Sequence, residues 1–177
     1  MKKEYKNLKK KITLSALTAT LCYLPFEVQG MGGGGGCVTG NIGITVITAP
    51  LNFGVIGACT ATAGTVTVDP RGTLTTAGCI ASTAGIVQQA GIRVRGGQSS
   101  NSIRIFIRVP ASAIISDAGN SMNATNFGLR DGGGTVATIT QRGGQTRTYD
   151  MGSTLNVNGG QAGGTYTGTA TVSATCT

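Results

Sequence analysis

Beyond residue 30 the chain carries four carboxylates: Asp69, Asp117, Asp131 and Asp150. Two of them flanking a sugar would be the chemistry of glycoside hydrolysis. Each, however, sits close to Gly, Pro or another turn residue, where an Asp side chain ordinarily bonds to nearby backbone and forms the turn. A Ser or Cys nucleophile needs a base, and residues 31–177 contain no His, Lys or Glu. Calcium at Asp117 or Asp131 would require about six to eight oxygen ligands. The reading is therefore non-enzymatic, with no catalytic, cofactor-binding or metal residue assigned.

Cysteine offers the other chemistry. Cys37, Cys59, Cys79 and Cys176 make an even set, which in an exported chain favours two disulfides. Four cysteines allow three pairings, and spacing does not choose among them. A metal site is disfavoured, because no two of them are close in sequence and no His is available.

Export is read from the N-terminus. All six lysines precede residue 12. An apolar stretch follows from Ile12 to Phe26, and Val28-Gln29-Gly30 supplies small residues near a cleavage point. Residues 1–30 are expected to be a signal peptide cut after Gly30. The apolar run, about 15 residues, is shorter than the ~20 needed to span a bilayer, and Cys22 belongs to the discarded piece. The expected destination is the periplasm, the cell surface or the medium, with no transmembrane segment left after removal. The remainder carries eight Arg against four Asp and five aromatic residues. That modest positive charge and sparse aromatic content argue against nucleic acid.

Residues 31–177 hold 29 of the 30 glycines and 24 threonines. Thr, Val and Ile are strand formers, and helix formers are scarce. Residues 31–41, with glycines 32–36, read as a flexible lead-in; a phosphate loop would need a flanking strand, a helix and usually a Lys. From residue 42 to 177 the chain alternates with period two. Ile42, Ile44 and Val46 share one face. Residues 65–68 form a strand ended by Asp69-Pro70-Arg71-Gly72, and Leu74 begins the return. Ile103, Ile105, Ile107 and Val109 oppose Arg104, Phe106 and Arg108. Residues 111–115 are the one segment expected to make a short helical turn. Residues 117–120 and 131–134 are turns. At the C-terminus Tyr166, Gly168, Ala170, Val172, Ala174 and Cys176 oppose a row of Thr and Ser. The pattern predicts an all-β antiparallel sandwich of about seven or eight strands. Arg93, Arg95, Arg104 and Arg108 would form an outer basic stripe if their strands pair, with a solvated face as the plainer reading.

Leu51-Asn52-Phe53-Gly54, then Gly64 with residues 65–68, then Gly152 to Val157 including Leu155, then Gly164, Tyr166 and Gly168, occur in that order. In this order the chain resembles the exported proteobacterial family called domain of unknown function 4402. The Leu-x-Phe-Gly element and the ending are also similar to the spore coat protein U family of secreted, chaperone–usher-type pilins. The resemblance implies an immunoglobulin-like, pilin-like sandwich that lacks its last strand and is completed by β-strand addition from a neighbour. It also implies Cys37–Cys79 and Cys59–Cys176 as disulfides.

Such pilins carry alternating large apolar residues ahead of the first core strand, where this chain has Met31 and five glycines. The segment with Ile42, Ile44 and Val46 is therefore expected to lie beside the C-terminal strand, in the same chain or a neighbour. The expected role is an exported structural subunit of a fimbria-like or other cell-surface assembly, with itself or a periplasmic chaperone as partner. The alternative is a self-contained, non-catalytic secreted binding module for glycan or anionic polysaccharide.

Overall fold

The computed structural model describes residues 20–24, 26–30, 43–46, 50–58, 61–96 and 104–176, with backbone alone at 20–24, 26–30, 43–46, 58, 81–84 and 176. Among the described residues there are sixteen strands and no helix. They are β1 (Thr20–Leu24), β2 (Phe26–Gly30), β3 (Gly43–Val46), β4 (Leu51–Ala58), β5 (Gly64–Val68), β6 (Leu74–Gly78), β7 (Ile80–Ala84) and β8 (Ala90–Arg95). Then come β9 (Arg104–Arg108), β10 (Ser112–Asp117), β11 (Asn120–Asp131), β12 (Gly134–Val136), β13 (Thr138–Arg142), β14 (Thr146–Val157), β15 (Thr165–Gly168) and β16 (Ala170–Cys176).

The strands form two sheets, as the alternation predicts for a sandwich. The larger runs β3-β8-β14-β11-β10-β15-β1-β4-β7, with β12 on β11 and the β5–β6 hairpin on β14. The smaller runs β13-β9-β16-β2. Pairings are antiparallel apart from β1 on β15 and β2 on β16. The core joins both sheets: Leu51, Phe53, Val66, Ile92, Leu155 and Tyr166 from the larger meet Ile105, Ile107, Ile139 and Val172 from the smaller, all buried. These are the inward positions of period-two segments, so the sequence alternation becomes a dry interlayer.

More strand segments exist than the alternation suggests, partly because single extended stretches change sheet. The β12–β13 stretch leaves β11 and joins β9 across Ala137. The β15–β16 stretch leaves β10 and joins β9 across Thr169. Residues 111–115 are not a helical turn. Ser112–Asp117 is a strand with Ala113 and Ile115 buried and Ile114 outward at 66% exposure. The i, i+2 spacing of Ala113 and Ile115 fits a sheet face, and the hairpin to β11 enforces it. Its turn, Ala118-Gly119, has φ of 46° and 87°, the two positive values that a two-residue hairpin with matching twist requires. No helix among the described residues is long and apolar enough to cross a membrane.

Candidate strand-complementation site

The final stretch β15–β16 is built by its alternation. Tyr166, Ala170, Val172 and Ala174 are buried, whereas Thr165, Thr167 and Thr169 are exposed. Tyr166 anchors it. Its hydroxyl accepts from Gln161 Nε2 at 2.7 Å and donates to the Ala162 carbonyl at 2.8 Å. That closes the glycine-rich loop back onto the strand it feeds. Gly168 pairs with Ile115, and a Cβ there would run into the Ile114 carbonyl oxygen. Close approach of two backbones is what requires glycine at this point.

The Leu-x-Phe-Gly element lies on β4. Leu51 and Phe53 are fully buried, and the next buried large residue is Ile56, so the inward phase slips by one. The slip is a bulge: against β1, Cys22 pairs with Gly54 and Tyr23 with Asn52, leaving Phe53 extra. Gly54 takes φ 79°, and Asn52 Oδ1 accepts from its N–H at 2.8 Å. Asn52 also exchanges both backbone bonds with Gln88, at 2.8 and 2.9 Å. The other motif residues lie elsewhere in the larger sheet. Gly64 packs under Ala77 and Ile80, and Gly152 under the Val68 carbonyl. Leu155 is buried between β5 and β11, and Gly164 lies against the Asp117 carboxylate.

Between β15 and β4, and along the outer edge of β16, runs the N-terminal segment. Leu21 pairs with Thr165, Cys22 with Tyr166 and Tyr23 with Thr167. In β2, Phe26 pairs with Ala170, Val28 with Val172 and Gly30 with Ala174. The same parallel register thus holds at 21–23 and again at 26–30, while the companion stretch passes from one sheet to the other. β1 also pairs antiparallel with β4 and so joins β15 to β4. Sequence reading missed this strand. Phe26-Glu27-Val28-Gln29-Gly30 alternates apolar and polar residues, but the lysine-led apolar run ahead of it reads as a leader.

This placement corrects one expectation. Gly43–Val46 does not lie beside the C-terminal strand of its own chain. It pairs with β8, Ile44 opposite Val94 and Val46 opposite Ile92, at the far edge of the larger sheet. The edge of β8 accepts it there, and the flank of β16 is already filled by residues 26–30. Ile42 falls outside the described residues.

The titratable groups are dispersed. Asp69 closes its own turn, accepting from Arg71 N–H and Thr73 N–H at 2.8 Å each. Burial pushes its carboxyl upward, but those two bonds, the Thr73 hydroxyl and the Arg71 charge together hold it below its ordinary value. Asp117 and Asp131 lie at opposite ends of the β10–β11 hairpin. Among the described residues no three of His, Cys, Asp or Glu come together as a metal site. The basic stripe does not form, because β8 and β9 belong to different sheets: Arg93 and Arg95 face out from one, Arg108 from the other. Cys79 is disulfide-bonded; Cys37 and Cys59 lie outside the described residues. A buried polar pair escaped the sequence reading. The Tyr149 hydroxyl donates to Gln141 Oε1 at 3.1 Å, and Gln141 Nε2 donates to the carbonyls of Gln145 and Val94 at 2.7 and 3.3 Å.

The family described as domain of unknown function (DUF4402) matches residues 43–175. The chain belongs to this family. The DUF4402 match runs from β3 to β16 and leaves β1 and β2 outside it. Neither a curated protein nor a solved structure matches the chain.

Proposed function

We propose that this DUF4402 protein is an exported structural subunit of a fimbria-like or other cell-surface assembly, joined to its neighbours by β-strand complementation. The observation that carries the reading is the pairing, in one shared register, of residues 21–23 along 165–167 and of 26–30 along 170–174. The sequence marks residues 1–30 for removal at export. Once they are gone, β4, β15 and β16 each lose a strand partner. A row of unpaired backbone groups beside an apolar core is a template for another strand. The immunoglobulin-like character is supported by Tyr166, whose hydroxyl reaches back to a backbone carbonyl four residues upstream as in a tyrosine corner. The similarity of the chain's ending to secreted pilins points the same way. Partners are then a second copy or a periplasmic chaperone, and two disulfides suit the oxidising compartment.

The test is expression with the leader in a bacterium able to export it, and then recovery of the exported fraction. Oligomers that resist SDS or heat, and fibres or regular particles in negative stain, are expected. A stable soluble monomer of residues 31–177 would favour the self-contained binding module instead.

A further inference from the structure

We propose that residues 20–30 act as an intramolecular placeholder: the leader's own end fills the strand site of the uncleaved chain, and cleavage after Gly30 opens that site to a strand from a second copy. The second half of this proposal, entry of another copy's strand, rests on the assembly reading above; the placeholder itself does not.

The placeholder is a matter of geometry. β1 has a partner on each side, β15 parallel and β4 antiparallel. Neighbouring strands lie about 4.8 Å apart, so removing one leaves its flanking strands roughly 10 Å apart, too far to bond directly. β2 covers the edge of β16 in the other sheet. An occupant must therefore be extended over some eleven residues, roughly 33 Å at the rise of a strand. It must also step from one sheet to the other midway. β1 and β2 meet that demand: they keep one register along β15 and β16, each following its companion into a different sheet.

Residues 31–41 are a poor substitute. Their glycines bring no side chains to pack, and glycine loses the most freedom on ordering. The remaining alternating segment ahead of β4 contains β3, which already has β8 as its partner. Among the described strands, none that cleavage leaves behind is spare for the site. The DUF4402 match likewise begins at residue 43, beyond the placeholder. A second copy can supply the strand only by releasing one from its own sheet, and its β3, held by β8 on one side alone at the sheet edge, is the alternating segment placed to be released.

The experiment uses the full 177-residue chain, purified folded, with a protease recognition sequence inserted between Gly30 and Met31 and cut after folding. The 1–30 fragment is expected to co-elute with the remainder, and the amides of 165–174 to keep their hydrogen-exchange protection. An excess of synthetic peptide 20–30 should exchange with the fragment and hold the remainder monomeric. In two further uncut chains, Val28→Pro and Gln29→Pro, one should remove a ladder donor toward β16, since alternate N–H groups of an edge strand face its one neighbour, and that chain should lose protection at the amides of 170–174 that face β2 rather than β9. A fragment that leaves at once while 165–174 stays protected would overturn the proposal, whatever the oligomeric state. Unchanged protection in both proline chains would do so as well. Retention of the fragment with no displacement by a tagged second copy would uphold the placeholder and count against the assembly reading instead.

Discussion

The hydroxyl of Tyr166 donates to the carbonyl of Ala162 at 2.8 Å, tying the first inward residue of β15 to the loop that delivers it. The same oxygen accepts from Gln161 Nε2. The loop 158–164 has few apolar contacts of its own to fix it, so this tyrosine sets where the final strand enters the larger sheet. Entry at that point aligns residues 165–174 with both sheets in turn.

Tyr166→Phe keeps the buried ring and removes both bonds. A loss of about 1–2 kcal/mol in unfolding free energy is expected, read from the urea midpoint. An unchanged midpoint would mean that the loop holds without the tyrosine.

Gly168→Ala adds a methyl where the Ile114 carbonyl already stands. Either β10 separates from β15 or the strand shifts, at a cost of about 1–3 kcal/mol. Thr169→Ala, at an exposed neighbour, is the control and should stay within about 0.5 kcal/mol of wild type. Equal thermal midpoints for the two variants would contradict the close approach.

Tyr149 couples stability to alkaline pH. Burial, the largest influence, raises its phenol above the ordinary 10.0; the charge and hydrogen bond of Arg147 pull it down, and Asp131 pushes it up. The fold therefore favours the protonated phenol. Its contribution to stability is complete below pH 10 and is lost as pH rises through the higher folded value. Tyr149→Phe should flatten that alkaline slope. It should also cost about 1–3 kcal/mol at neutral pH, because Gln141 Oε1 loses its donor. An unaltered slope in pH-dependent urea titrations would show that another group sets the limit.

The disulfide pairing comes from a register. Ala58 and Ile80 are partners across β4 and β7. In sequence Cys59 comes directly after the one and Cys79 directly before the other, so a ladder continued by one rung would set them opposite each other, within the Cα separation a disulfide spans. The expected links are Cys59–Cys79 and, by remainder, Cys37–Cys176, which differ from the Cys37–Cys79 pairing implied by the coat-protein resemblance. Peptide mapping without reduction decides between them; a Cys37–Cys79 peptide would reject the pairing expected from the rung.

Much of this architecture is legible in the residues alone. Strict alternation at 103–109 and 165–176 names the strands, their inward faces and the sandwich, because a strand's two faces differ in every second residue and a dry interlayer accepts only one of them. Turn chemistry at 69–72 and 117–120 locates hairpins for an equally local reason, the positive φ or preset φ that particular residues supply. Partnership is not local. Ile44 and Val46 satisfy β8 as well as they would satisfy β16, so alternation could not tell which edge they would take. Residues 111–115 lack a strong local preference and become a strand through their hairpin with β11. Residues 20–30 carry two signals at once, an apolar leader and an extended strand. Only the tertiary structure decided that the second is expressed in the fold, because the register along 165–167 and 170–174 exists only when both sheets are already in place.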